Sequence, residues 1–345
     1  MNAIHHKNKA RSTHQSRVEL WDWFKGLAII AVVLDHTKVV PEPLVAWSVN
    51  MFVIVTAATY SEPKYFFSGR KLALKILHLF LIILSGIFFF KTLNSIFGLI
   101  TERSLIQILL NPYFFFIKNA YLGDIWYTGL HLQFLFLLFI GLRTGFLSKP
   151  KIVLPLALAL TIFTNFYTHF VIHRFETIFF MSWLFFLCIG FYGIRPFLNY
   201  IEKSKHNRWL GVALGATLLI CFYSLYPRFP WAFTNEARAM TFTAPFYVPL
   251  ILLFTEFFYI IYSYKFCAFL KSAILLLGRY TLAIYLTHEP FERMWKVYFS
   301  EPILLAILSA VCGILFGMVF EWLFVPIQKQ IEKLFDRYHP RKHHA

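Results

Sequence analysis

Long apolar stretches separated by short polar connections run along almost the whole chain. Ten of them are long enough to cross the hydrocarbon core of a bilayer, which is about 30 Å thick. In lipid every backbone group must be paired inside a helix or a closed barrel, so repeated runs of this length indicate membrane helices. The pattern predicts an all-α, polytopic helical membrane protein with about ten transmembrane helices, at roughly 23–40, 43–60, 73–92, 126–142, 152–172, 177–194, 209–226, 244–262, 273–289 and 302–325.

Residues 93–125 interrupt this alternation. The segment contains "NPYFFFIKNAYLGD", which is aromatic and mildly charged. Aromatic side chains collect at the boundary between headgroups and hydrocarbon. We therefore expect a helix or loop lying in the membrane interface here rather than a complete span.

Basic residues are concentrated in alternate connections. Of the 33 Lys and Arg residues, 24 lie in the N-terminal tail with Lys25, in the C-terminal tail, or in the connections near 61–75, 143–151, 195–208 and 263–279. Positive charge is retained on the cytoplasmic side during insertion, so both termini are predicted to be cytoplasmic. The predicted organisation is a basic cytoplasmic N-terminal tail, one transmembrane domain and a basic cytoplasmic C-terminal tail, at 1–20, 21–326 and 327–345.

The composition agrees with a membrane location. Hydrophobic residues make up 59% of the chain and charged residues 14%, a balance that a soluble domain does not carry. Topology accounts for the net charge of +16, so we expect contact with membrane lipid and no nucleic-acid partner. The four cysteines are isolated, and the chain has no phosphate-loop or dinucleotide motif. We predict no disulfide framework, no metal site and no permanently bound cofactor.

The first predicted helix carries ionisable residues within the apolar run "WFKGLAIIAVVLDH". Lys25 and His36, eleven residues apart, lie about 20° apart around a helix axis and about 16 Å apart along it. Asp22 falls about 60° from Lys25, whereas Asp35 lies about 80° to the other side. Asp22, Lys25 and His36 therefore form one polar face, which is expected to avoid lipid.

Two interpretations of this polar face are open. In the first, Asp22 and Lys25 form an interfacial ion pair at the cytoplasmic helix end, and His36 is a satisfied histidine near the outer end. In the second, an ionisable group several turns inside a membrane helix marks a functional site. A histidine acts as a general base near neutral pH, which is the role needed to activate a hydroxyl for acyl transfer.

The segment "LWDWFKGLAIIAVVLDH" resembles the first-helix signature of the integral-membrane acyltransferase-3 family. That signature has an Asp, then Arg or Lys, then ten residues and a His, which Asp22, Lys25 and His36 match in spacing. Further segments are similar to later parts of the family pattern, namely "MFVIVTAA" at 51–58, "IWYTGLHLQFLFLL" at 125–138 and "LGRYTLAIYLTHEP" at 277–290. No single motif is long, but the resemblance extends over nearly the whole chain.

One segment departs from the family pattern. The second cytoplasmic loop of the family usually carries R-x-x-R, and this chain has "FFSGRKLALKILH" there. Its cations are Arg70, Lys71 and Lys75, and Leu72 stands where the first Arg of a pair ending at Lys75 would fall. The positive charge is therefore kept, but in a shifted form. Lysine does not reproduce the bidentate contact that arginine makes with phosphate.

The resemblance implies an acyl-CoA-dependent O-acyltransferase in the cell membrane. In that family an acyl group, commonly acetyl, passes from cytoplasmic acyl-CoA to a hydroxyl of a glycan or glycolipid. We expect His36 to be the general base, with Asp22 and Lys25 as the other catalytic residues. No G-x-S-x-G is present, so no covalent serine intermediate is predicted. The cations expected to contact the phosphates of acyl-CoA are Lys25, Arg70, Lys71, Lys75 and Arg279; the expected acceptor contacts are Trp126, Tyr127, His288 and Glu289.

Some assignments are left open by the sequence. The group that stabilises the oxyanion is not chosen among five candidates, Asn50, Trp126, Tyr127, Gln133 and Tyr285. Glu256 and Glu321 fall in predicted spans and are either paired within the bundle or part of the site. An alternative function is a proton-coupled transporter or lipid-linked-sugar translocator, against which stands the absence of an evident inverted repeat.

Overall fold

The computed structural model describes residues 2–40, 45, 47–61, 74–85, 126–170, 180–203, 213, 216, 217, 220, 224, 255–262 and 268–338. These residues form helices joined by turns, and none of them lies in a strand. The all-α class is therefore confirmed. The helices are α1 (Asn2–His36), α2 (Trp47–Tyr60), α3 (Leu74–Ser85), α4 (Trp126–Arg143), α5 (Pro150–Phe170), α6 (Leu184–Cys188), α7 (Ile194–Lys203), α8 (255–262), α9 (Ala268–Arg279), α10 (Thr281–Trp295) and α11 (Pro302–Tyr338), with a π-helix at Ile189–Gly193 between α6 and α7.

Helix α11 has the length and apolar character of a membrane crossing. Its segment Pro302–Ile331 is 30 residues long, and within the described residues a second crossing is obtained only if α9 and α10 are counted as one broken span. Pro302 suits the first position of α11, because the N–H that proline lacks would have no partner within the helix. The ten complete spans stay a prediction.

Two of the predicted helix boundaries are wrong. The span predicted at 273–289 is broken at Tyr280, between α9 and α10. The Thr281 hydroxyl donates to the carbonyl oxygen of Gly278 at 2.7 Å, which gives a backbone acceptor at the end of α9 a side-chain partner. The span predicted at 23–40 ends at His36, two residues before Lys38, whose backbone is left-handed and cannot continue the helix.

The chain divides into two compact units, residues 1–63 with 150–281 and residues 64–149 with 282–345. In the first unit, α1 packs against both α2 and α9, around fully buried side chains such as Ile29 and Ile54. In the second unit, the His78 ring of α3 lies 4.9 Å from the ring of Phe324 on α11. Each unit has its own apolar interior.

Helix α2 runs in the same direction as the apolar part of α1. Contacts along α8 show this direction. Its Tyr262 hydroxyl donates to Glu19 of α1, and one turn earlier in α8 the Phe258 carbonyl oxygen accepts from the Trp23 indole at 3.0 Å. The Trp47 ring of α2 also lies 5.3 Å from the Phe258 ring, and the next turn of α8 brings Thr255 Oγ1 to within 4.0 Å of Met51 Sδ. Trp23 and Trp47 are therefore level with each other.

Alternating membrane spans predict the opposite direction for these two helices. The prediction assumed that each apolar stretch crosses the whole bilayer. The 14 residues of α2 extend only about 21 Å, which is less than the thickness of the hydrocarbon core. An apolar stretch of this length can lie beside its predecessor without reversing direction across the membrane.

Candidate active site

An ion pair lies on α1 where its apolar part begins. The Lys25 ammonium donates to Asp22 Oδ1 at 2.9 Å, and the two side chains are 26% and 25% exposed. The neighbouring indole rings of Trp21 and Trp23 are buried, and the Trp23 hydrogen bond to Phe258 on α8 fixes the rotation of α1. The Lys25 and Asp22 side chains are therefore held in one orientation while their charges stay partly accessible.

Two glycines bring the backbone of α9 against α1 beside this ion pair. A Cβ atom on Gly26 of α1 would collide with the carbonyl oxygen of Ile274. A Cβ atom on Gly278 of α9 would collide with the carbonyl oxygen of Asp22. Only residues without a side chain permit this approach, so the end of α9 lies against the turn of α1 that carries Asp22 and Lys25.

Arg279 therefore lies at the same end of α1 as Lys25. It follows Gly278 directly, is exposed, and places its guanidinium 5.5 Å from the centre of the Tyr280 ring. The sequence grouped Arg279 with Lys25 only as a second cation on the predicted cytoplasmic side. The structure adds that Arg279 follows the residue of α9 that packs against Asp22, and so lies at about the level of Lys25 along α1.

His36 is the last residue of α1 and is half-buried. The next residue, Thr37, folds its hydroxyl back onto the carbonyl oxygen of Val33 at 2.9 Å, and Lys38 adopts a left-handed backbone conformation with φ 56°. Asp35 pairs with Lys38 at 3.7 Å. The imidazole thus lies at the point where the chain leaves the helix, rather than within a helix that continues to residue 40 as predicted.

The polar face of α1 is interrupted between its two ends. Ile29 and Val32 lie on this face between Lys25 and His36, and they are 0% and 5% exposed. Because both side chains are buried, this stretch of the face points into protein, as the sequence predicted. Between the cation and the imidazole the face is therefore apolar and packed, and it is not hydrophilic throughout.

Asn50 lies far from His36, because α2 runs in the same direction as α1. It lies one turn after Trp47, and so about level with Gly26 and about 15 Å from His36 along the axis of α1. The Asn50 side chain is 0% exposed, and within the described part of the chain neither its amide nitrogen nor its amide oxygen has a hydrogen-bond partner. Of the candidates for the oxyanion, Asn50 belongs with the Lys25 end of the unit.

The residues predicted to contact the acceptor lie on two helices of the second unit, α10 and α4. On α10, His288 is 1% exposed, and its Nδ1 lies 2.8 Å from the carbonyl oxygen of Tyr285. Glu289 instead pairs with Arg293 at 3.0 Å. Trp126 and Tyr127 begin α4, and nothing is described of their side chains.

Of the predicted phosphate contacts in the second unit, Lys75 lies on α3 and is half-buried. Arg70 and Lys71 lie outside the described residues. Lys75 and Glu321 of α11 are both within electrostatic reach of His78. Glu321, left open by the sequence, therefore has His78 as a neighbour inside the apolar part of the unit.

Two polar residues of the second unit were missed by the sequence reasoning. Glu292 of α10 is 3% exposed and pairs with Lys296, and Ser309 of α11 is 0% exposed. Glu292 stands four residues after His288, a spacing that places both on one helix face. Ser309 gives a weaker signal, since a serine within an apolar helix is ordinary.

The family to which the chain belongs is shown by comparison with known proteins. The family model described as an acyltransferase domain matches residues 19–325, a range that includes the polar face of α1, helix α10 and most of the apolar part of α11. No curated protein and no solved structure matches the chain significantly. The match covers most of the sequence, and the chain is a member of the acyltransferase-3 family.

Proposed function

We propose that this acyltransferase is a multi-pass protein of the cell membrane that moves an acyl group, most simply acetyl, from cytoplasmic acyl-CoA to a hydroxyl of a glycan or glycolipid. The observation that carries the proposal is the family match over residues 19–325, joined to the placement of Lys25 and His36 on one face of α1. About ten membrane helices and cytoplasmic termini belong to the proposal, supported by the apolar α11 and by the distribution of basic residues.

Residues of the first unit are proposed to bind acyl-CoA. Lys25, whose ammonium is oriented by Asp22, and the exposed Arg279 offer cations to the phosphates. Between these cations and His36 the face of α1 is apolar, with Ile29 and Val32 buried against protein. His36 lies about 16 Å from Lys25 along the axis, where the thioester is expected. Arg70, Lys71 and Lys75 are proposed as further phosphate contacts.

The reaction is a direct transfer. His36 takes the proton from the acceptor hydroxyl as that oxygen attacks the thioester carbonyl. The tetrahedral intermediate collapses with cleavage of the carbon–sulfur bond, and the departing thiolate of CoA takes the proton from His36. The products are an O-acyl ester and free CoA, so the imidazole ends as it began. The acceptor is proposed to be held through Trp126, Tyr127, His288 and Glu289.

Membranes of cells that express the protein provide the direct test. Acetyl-CoA labelled in the acetyl group is added, and both the CoA released and the base-labile label in the glycan fraction are measured. We expect equal amounts of CoA and ester, above membranes from cells that lack the protein. Proton-coupled sugar uptake that persists without acyl-CoA, with no ester formed, would establish the transporter alternative instead.

A further inference from the structure

Four polar side chains are buried in helices α10 and α11 of the second unit. Thr287, His288, Glu292 and Ser309 are each at most 3% exposed, although both helices are largely apolar. Thr287 donates to the carbonyl oxygen of Ala283, and Glu292 pairs with Lys296. The hydroxyl of Ser309 is different, because it has no hydrogen-bond partner among the residues that the structure describes.

The register of the two helices places Ser309 opposite His288. A Cβ atom on Gly313 of α11 would lie 2.8 Å from Ile284 Cα of α10, which marks the point of closest approach. Only residues 296–301 connect the helices, so they run antiparallel. One turn forward from Ile284 is His288, and one turn back from Gly313 is Ser309. Residues four apart share a helix face, and the two side chains therefore face the same interface.

The hydrogen-bonding capacity of His288 is fixed by the backbone. A carbonyl oxygen only accepts, so Nδ1 must donate its hydrogen to Tyr285 at 2.8 Å or to Ile284 at 3.2 Å. In the neutral ring Nε2 then carries the lone pair. Pro290 has no N–H to give to the carbonyl oxygen of Leu286, which interrupts the helical hydrogen bonds on the turn that holds His288.

We propose that His288 Nε2 and Ser309 Oγ form a buried subsite for an uncharged hydroxyl of the sugar acceptor. A sugar hydroxyl donates one hydrogen bond and accepts others, which matches an imidazole lone pair beside a serine hydroxyl. Ser309 acts as a positioning residue that orients the acceptor. The inference rests on the proposed function, whose acceptor it assigns to the α10–α11 interface.

The energetics of Ser309 allow a sharp test. A buried hydroxyl without a partner destabilises a fold, so replacing Ser309 with alanine is expected to leave the melting temperature unchanged or to raise it. If the hydroxyl binds the acceptor, the same change lowers acyl transfer. A residue that serves only packing does not combine these two effects.

The experiment uses the full chain in membranes of the expressing cells, which supply the acceptor, with labelled acetyl-CoA as the donor. Ester formation, the apparent KM for acetyl-CoA and the melting temperature in detergent are measured for wild type, Ser309→Ala, His288→Gln, His288→Ala and Ser272→Ala. Ser272 is the matched control, since it is an exposed serine on α9 whose hydroxyl donates to its own helix backbone. Glutamine at 288 keeps a hydrogen-bonding group near the position of Nε2.

We expect Ser309→Ala to lower ester formation about tenfold with an unchanged KM for acetyl-CoA. His288→Gln is expected to lower ester formation less than His288→Ala does, because the alanine variant loses the ring altogether. Ser272→Ala is expected to match wild type. Ester formation at the wild-type rate in Ser309→Ala overturns the subsite. A loss of transfer that follows a lower melting temperature assigns Ser309 to packing and overturns it equally. Absence of CoA release in wild type is a failure of the proposed function, which is a separate result.

Discussion

The two histidines brought forward by the sequence lie in contrasting settings. His36 is half-buried at the end of α1, next to a turn in which Lys38 has a left-handed backbone. His288 is 1% exposed in the middle of α10, with Nδ1 directed at backbone carbonyl oxygens. One ring borders an irregular segment, and the other is buried within a helix.

This contrast separates two tasks that one acyl transfer requires. A general base carries a positive charge for part of the reaction, and an imidazolium is less costly where solvent or substrate reaches it than in an apolar interior. His36 has that access. The backbone contacts of His288 fix the tautomer of its neutral ring, with the lone pair on Nε2, which suits holding a hydroxyl. The difference teaches that burial alone does not identify the base.

The largest expected effect is the loss of the proposed base. Replacing His36 with alanine is expected to lower kcat for ester formation by about 10²–10⁴-fold, the range typical of general bases, with little change in the melting temperature of a half-buried position. Initial rates at saturating acetyl-CoA measure it. Lys38→Ala, two residues away on an exposed side chain, is the matched control. Equal loss in both variants would attribute the effect to the turn and not to the imidazole.

A smaller effect is expected at the contact between α1 and α9. Gly278→Ala places a methyl group against the carbonyl oxygen of Asp22, so the helices must separate, at a cost of about 1–3 kcal/mol for overpacking. We expect a lower melting temperature and a higher KM for acyl-CoA, because the ion pair of Asp22 and Lys25 moves. Gly193→Ala is the control, since the nearest atom to its Cβ would be at an ordinary 3.8 Å. Similar melting temperatures in the two variants would contradict the close approach.

The sequence predicted those features that depend on residue spacing within one helix. The helical class follows from long apolar runs, and the shared face of Asp22, Lys25 and His36 follows from the period of the helix. Burial of Ile29 and Val32 agrees with the expectation that this face avoids lipid. Such properties are local, and tertiary contacts did not override them.

Features that depend on contacts between distant segments were not predicted. The direction of α2 is visible only because Trp23 and Trp47 share Phe258 as a neighbour. The facing of His288 and Ser309 depends on the close approach at Gly313, which no spacing encodes. Likewise, the break at Tyr280 interrupts a segment that is apolar on both sides. In each case the deciding interaction joins residues that are far apart in sequence or hidden by uniform hydropathy.

The smallest expected effect tests whether Asn50 belongs to the chemistry of His36. The direction of α2 places it near Lys25, so Asn50→Leu is expected to leave kcat for ester formation unchanged. Removing an unpartnered buried amide is expected to raise the free energy of unfolding by about 1 kcal/mol, read as a higher melting temperature in detergent. Met51→Leu, on the adjacent buried residue, controls for repacking of α2. A stable Asn50→Leu variant with a large loss of kcat would show that Asn50 stabilises the oxyanion. The first turn of α2 would then have to lie near His36.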